Sequence, residues 1–180
     1  MYQFLNVHPE GKFVPDCVKR AITKAAEMDY HEVQLELNRH KRVTGAKTFN
    51  EGKNWKSYIE NVLNGTKLSF PATKGIPRMN GERFCKAFPR GRYILNMAGH
   101  LSCCVDGIIY DSWDCSEKCV YTAYEIKPQV KHYYTVTKVR NEDKYIINVY
   151  EGSEVKTFEA NRSEIKGMTK CLDLMHFERK

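Results

Sequence analysis

Two runs rich in β-branched and aromatic residues, His100-Leu101-Ser102-Cys103-Cys104-Val105 and Ile108-Ile109-Tyr110-Asp111-Ser112-Trp113, are separated only by Asp106-Gly107. An Asp-Gly pair makes a tight hairpin turn, because both residues tolerate positive φ and such a turn matches the right-handed twist of the flanking strands. So short a turn fixes the register. Val105 is expected to face Ile108, Cys104 to face Ile109, Cys103 to face Tyr110, Ser102 to face Asp111 and His100 to face Trp113. Directly opposed residues share a face of the sheet, so Asp111 is the diagonal neighbour of His100 and within reach of an imidazole nitrogen. Asp114 falls on the opposite face, as does Asp106.

Strand-like runs over 92–97 and 119–126 flank this hairpin. The first third is different: Val18, Ala21, Ile22 and Ala25 recur at helical spacing behind Asp16, a natural N-cap, and predict a helix over 17–27. A second helix is expected from Tyr30 to His40, after Asp29, and a third on the stripe Trp55, Tyr58, Ile59, Val62 and Leu63, stopped at Asn64-Gly65. Residues 65–91 hold the breakers Pro71, Gly75, Pro77, Gly81, Pro89 and Gly91 and read as a long loop or crossover. Helices followed by antiparallel strands give an α+β fold. Lys127-Pro128 marks a boundary between a main domain, 1–126, and a small β-rich C-terminal extension, 127–180. In the extension His132–Val139, Lys144–Tyr150 and Glu154–Ala160 form a meander closed by Cys171–Phe177, and so short a segment is expected to pack on the main domain for its stability.

Composition narrows the function classes. No run of 18 apolar residues is present and the first residues lack the features of a secretory signal, so no membrane partner and a cytoplasmic location are expected. Seven cysteines, an odd number, read as reduced thiols and not as a disulfide framework. The net charge of +7 is spread over both parts of the chain and gives no dedicated nucleic-acid stripe. Arg78, Arg83, Lys86, Arg90 and Arg92, interleaved with Phe84 and Phe88, form the one segment that could make a groove for nucleic acid, and a solvated loop is the simpler reading. Cys103, Cys104, Cys115, Cys119 and His100 crowd into 20 residues, but Cys103 and Cys104 point to opposite faces of a strand and Cys115-x3-Cys119 lacks a second matching pair. No metal is therefore expected, and no cofactor, since no phosphate-binding or dinucleotide glycine pattern occurs. Cys85 and Cys171 read as core fillers.

Cys17 stands behind Pro15-Asp16 at the first turn of the first helix. A thiolate there feels free backbone N–H groups and the positive helix end, and a nearby imidazolium lowers its pKa further. An Asp111 carboxylate would fix the tautomer of His100 and stabilise the imidazolium formed when the thiol gives up its proton. Those three residues are the candidate nucleophile, base and orienting acid.

The order of a helix-start cysteine, a sheet-borne histidine and a polar residue followed by Ser-Trp resembles papain-like cysteine peptidases. The segments Gly11-Lys12-Phe13-Val14-Pro15-Asp16-Cys17-Val18-Lys19-Arg20-Ala21-Ile22, Gly99-His100-Leu101 and Val105-Asp106-Gly107-Ile108-Ile109-Tyr110-Asp111-Ser112-Trp113-Asp114 resemble, in particular, a group of small papain-fold proteins common in phages and prophages. The resemblance covers about residues 6–126. It implies a papain-like fold and a thiol-dependent hydrolase that cleaves a peptide or isopeptide bond of a protein or peptide substrate through a thioester, in the host cytoplasm if phage-encoded. Cys17 would then be the nucleophile, His100 the general base and acid, Asp111 the orienting residue, and Trp113 the shield over that pair. The backbone N–H of Cys17 would be one oxyanion donor. Gly11 occupies the place of the family's glutamine, and Asn6 is a candidate to fold back as the second donor. Gly11 also favours the alternative implied by the same resemblance, a catalytically inactive papain-fold protein that binds a host or phage protein.

Overall fold

The computed structural model describes residues 1–128, 132–151, 154–174 and 178–179. In chain order the elements are β1 (Tyr2–Phe4), α1 (Cys17–Ala26), α2 (Tyr30–Thr44), α3 (Gly52–Asn61), β2 (Thr66–Ser69), α4 (Gly81–Ala87), β3 (Arg92–Met97), β4 (His100–Val105), β5 (Ile108–Asp111), β6 (Val120–Glu125), β7 (His132–Lys138), β8 (Tyr145–Glu151), β9 (Glu154–Ala160), α5 (Arg162–Leu174) and β10 (Glu178–Arg179). The chain is mixed α+β and divides into two compact units, Met1–Gln129 and Val130–Lys180. No helix among the described residues is long and apolar enough to cross a membrane.

The first unit is built on a six-stranded sheet of order β1-β5-β4-β3-β6-β2. Its centre is the predicted hairpin: Val105 pairs with Ile108, Cys104 with Ile109 and Cys103 with Tyr110. Asp106 and Gly107 take φ of 49° and 74°, the two positive values that a tight turn of this kind requires. Both faces of the sheet are covered. Ile94, Leu101, Cys103 and Tyr124 pack with Val18, Ile22, Val33, Trp55 and Ile59 of the three N-terminal helices. The alternate residues Leu95, Met97, Cys104, Ile109 and Ala123 pack with Phe84 and Cys85 of α4. Burial of both faces explains why β3 and β4 read as nearly continuous apolar runs and not as alternating ones.

Helix α1 follows its apolar stripe, and its last carbonyls are capped by Arg92, whose Nε and Nη2 donate to Ala25 O at 2.7 Å and Lys24 O at 2.9 Å. Arg92 therefore belongs to the packing between α1 and β3. Helix α2 starts as predicted behind Asp29, whose carboxylate accepts from the N–H groups of His31 and Glu32. It continues past His40 to Thr44, because the basic run 39–42 has good helix formers, and ends on Gly45 at φ 64°.

Residues 65–91 are not one long loop. Strand β2 pairs antiparallel with β6 at the sheet edge, and α4 starts at Asn80, whose side chain accepts from Arg83 N–H at 2.9 Å. The breakers bracket these short elements instead of excluding them. Phe84 is fully buried and stacks on the partly buried Phe88 with ring centroids 4.5 Å apart, so the interleaved aromatics of this basic segment pack in and against the core. Strand β1 was not foreseen; it pairs parallel with β5, Tyr2 to Ile109 and Phe4 to Asp111.

In the second unit β7, β8 and β9 form the expected antiparallel meander, joined by β10 in parallel with β7. The proposed closure by Cys171–Phe177 is corrected: Cys171–Leu174 end α5, and 175–177 lie outside the described residues. Asn161 accepts from Ser163 and Glu164 N–H while Glu164 accepts from Asn161 N–H, a reciprocal cap that starts this helix. Ile165, Met168 and Leu172 then fall on one face and pack on the cluster of Tyr134, Ile147, Val149 and Ala160. Cys171, expected in a core, is exposed.

Candidate active site

His100 opens β4 and Asp111 closes β5, and the fixed register of their hairpin brings the imidazole Nε2 to 2.8 Å from Asp111 Oδ2. Further contacts hold the carboxylate and the strand end that carries it in place. Its other oxygen, Oδ1, accepts from Ser112 N–H at 2.7 Å, while the Asp111 carbonyl accepts from Leu5 N–H at 2.7 Å and from the Tyr2 hydroxyl at 3.3 Å. Strand β1 thus buttresses the strand end that carries the acid. Asp111 is 5% exposed, so an unpaired carboxylate there would be costly. Burial pushes its pKa up, yet hydrogen bonds from His100 and the Ser112 amide hold it below the ordinary carboxylate value.

Cys17 is the first residue of α1, half-buried, and lines one cavity together with His100 and Leu101. Since Nε2 is held by Asp111, Nδ1 is the nitrogen left for the thiol. Burial would raise the Cys17 pKa, but the His100 ring and the Leu101 amide, with the charges of His100 and Arg20, bring it below the usual thiol value. Burial likewise disfavours charge on His100, but the hydrogen bond to Asp111, the Cys115 and Cys17 thiols and the Asp111 charge raise its pKa to about 11. A thiol shifted down beside an imidazole shifted up is the pattern produced when each group favours the charged form of the other.

The entry to α1 differs from the sequence expectation. Asp16 is the N-cap residue, but its side chain accepts no helix N–H. Instead Oδ2 accepts from the Tyr30 hydroxyl at 2.7 Å and Oδ1 pairs with Arg20 Nε at 2.9 Å, because the carboxylate is buried under both. Arg20 Nη1 also donates to the Ser112 hydroxyl. One guanidinium therefore joins the residue before Cys17 to the residue after Asp111.

Trp113 lies beyond the end of β5, with its ring 5.1 Å from that of His100 and 42% of its surface exposed. It covers one side of the imidazole and leaves the thiol side open. Asn6 is placed elsewhere: its Nδ2 donates to the Gly11 and Lys12 carbonyls and its Oδ1 accepts from His8 N–H, so the amide is consumed in closing the 6–12 loop. A cavity of about 350 Å³ beside Cys17 and His100 is lined by Val18, Trp55, Met97 and Leu101, with Asn50 and Asn96 supplying side-chain amides. Asn50 Nδ2 donates to Pro15 O at 3.3 Å, on the segment leading into Cys17.

Of the crowded cysteines, Cys103 donates to Tyr110 O at 3.5 Å and Cys104 lies 3.6 Å from Cys85, each on its own face of the sheet. Cys115 alone of this group reaches the His100–Asp111 pair, donating to Asp111 Oδ2 at 3.8 Å. Sequence reasoning assigned no role to Cys115, Arg20 or the Leu101 amide. The i, i+4 pairing of Asp16 with Arg20 was readable from helical spacing, but the reach of Arg20 to Ser112 and of Cys115 to Asp111 depends on tertiary packing. No family model matches this chain, and no curated protein or solved structure is similar to it at a significant level.

Proposed function

We propose that this protein is a thiol-dependent hydrolase of papain-like type, which cleaves a peptide or isopeptide bond with Cys17 as nucleophile, His100 as general base and acid, and Asp111 as orienting acid. The observation that carries this reading is the single imidazole held by Asp111 at 2.8 Å on a cavity that it lines together with a thiol at a helix start. Proton transfer from Cys17 to His100 gives a thiolate that attacks the carbonyl carbon of the scissile bond. The tetrahedral oxyanion is met by the Cys17 backbone N–H, which has no partner within the helix, and an oriented amide of this kind contributes ~3 kcal/mol. The imidazolium then protonates the leaving amine, a thioester forms, and His100 activates the water that releases the acid. The apolar cavity beside the sulfur offers space for an uncharged side chain of the acyl half. The resemblance that suggests the papain-like type also suggests a phage or mobile-element origin and action in the host cytoplasm.

A second reading, an inactive papain-fold protein that binds a host or phage protein, is favoured by one observation: the Asn6 amide is occupied within its own loop. A mixed peptide library separates the two. The hydrolase reading expects new amino termini with the wild type and none with Cys17→Ala, together with an acid-trapped acyl adduct on Cys17. A library left intact by wild type, with no adduct at Cys17, counts for the binder.

A further inference from the structure

The hydrolase reading makes no use of Cys115, although its thiol lies against both members of the His100–Asp111 pair. Cys115 is 1% exposed, and it shares the oxygen Asp111 Oδ2 with His100 Nε2. One ligand atom from each of His100, Asp111 and Cys115 lies within 4.8 Å of the other two. A tetrahedral zinc ion holds nitrogen and oxygen at about 2.0–2.1 Å and sulfur at about 2.3 Å, which sets its ligand atoms roughly 3.3–3.7 Å apart. The three groups therefore need movements of about 1 Å to close around such an ion.

Charge and surroundings favour the same occupant. A thiolate, a carboxylate and a neutral imidazole exactly balance a divalent ion in number of charges, so the filled cluster is neutral, as burial demands. Supporting contacts orient two of the ligands: Ser112 N–H fixes Asp111 Oδ1 and leaves Oδ2 for an ion. The Cys115 segment is closed by Lys118 N–H on Cys115 O at 3.0 Å, and pinned to α4 by Glu82 N–H on Ser116 O at 2.9 Å. Nitrogen, oxygen and sulfur together suit zinc-class ions, not calcium or magnesium.

We propose that His100, Asp111 and Cys115 bind a single zinc-class divalent ion, and that its occupancy suppresses the thiol chemistry of Cys17. On binding, Cys115 releases its thiol proton and His100 its Nε2 proton to solvent, with no change of oxidation state. The ring left behind is neutral, so it no longer offers Cys17 the positive charge that stabilises a thiolate. The suppression rests on the hydrolase reading, whereas the metal site does not.

The test is a titration of chelator-treated protein with Co²⁺, followed by displacement with Zn²⁺. One Co²⁺ per chain is expected, with tetrahedral visible bands and a thiolate-to-cobalt charge-transfer band that persists in Cys17→Ser and disappears in Cys115→Ser and Cys115→Ala. Absence of stoichiometric binding, or a band lost in Cys17→Ser but kept in the Cys115 variants, overturns the site. Iodoacetamide labelling of Cys17 with and without Zn²⁺ reads the second half: a slowing of about tenfold or more is expected in wild type and none in Cys115→Ala, each compared with its own metal-free rate. Cobalt bound as expected with unchanged Cys17 labelling overturns the suppression alone. Slow metal-free labelling of Cys17 counts against the hydrolase reading, while the cobalt spectrum still decides the site.

Discussion

Arg20, on α1, donates through Nη1 to the hydroxyl of Ser112 at the end of β5, and so ties the helix that carries the candidate nucleophile to the strand that carries its candidate acid. Its Nε pairs with Asp16, which is 2% exposed. Removing the guanidinium leaves a buried carboxylate with only the Tyr30 hydroxyl. Arg20→Ala is expected to lower stability by about 3 kcal/mol in urea denaturation. Arg20→Lys keeps a charge opposite Asp16 but has no second nitrogen for Ser112, so it should recover only part of the stability. Wild-type stability in Arg20→Ala would show that this ion pair is not what anchors the helix entry.

The His100–Asp111 pair makes stability depend on pH in a defined window. The folded pKa of His100, raised to about 11, lies above its ordinary value of 6.5, so its contribution is complete below 6.5 and is lost as pH rises through 11. Asp111 is held below its ordinary 3.8, so its contribution is complete above 3.8 and is lost as pH falls. The Asp111→Asn variant removes both. Its loss of stability relative to wild type should therefore be largest between about pH 4 and 6.5 and shrink toward higher pH, as read by urea denaturation at about pH 5, 8 and 10. A loss independent of pH would mean that the pair is not charged in the folded protein.

Gly107 supplies the second positive φ of the hairpin, and a Cβ placed there would lie 3.3 Å from both Cys85 O and Pro89 Cα. A β-branched residue is strained in this conformation by about 1–2 kcal/mol before any crowding. Gly107→Val should lower stability by at least that amount in urea denaturation. An unchanged midpoint would indicate that the turn can be rebuilt without cost to the strands.

The parts of the fold that were legible in the sequence are those whose signals are local. Asp106-Gly107 fixed a register from which the approach of Asp111 to His100 followed, and the stripe from Val18 to Ala25 located the helix that starts at Cys17. Strands β1 and β2 and helix α4 were hidden because three, four and seven residues are too short to show a period. Helix α5 did carry a signal, the Asn161-x-x-Glu164 cap with Ile165, Met168 and Leu172 behind it, which the alternation of the preceding strands obscured. Asp16 shows the opposite case: a residue type suited to capping was drawn into a buried pair with Arg20 and Tyr30. Cys115, four residues beyond Asp111 in an irregular segment, has no local pattern that points back to the imidazole.

Site-resolved alkylation at about pH 6 reads the pairing of Cys17 with His100, because an unactivated thiol is almost wholly protonated there. Treatment with iodoacetamide followed by peptide mapping should show fast modification confined to Cys17, slowed on the order of 10–100-fold in His100→Ala. Exposed Cys171 is the internal reference for an ordinary thiol. Modification of Cys17 no faster than that of Cys171, or unchanged by loss of the imidazole, would contradict the pairing on which the account is built.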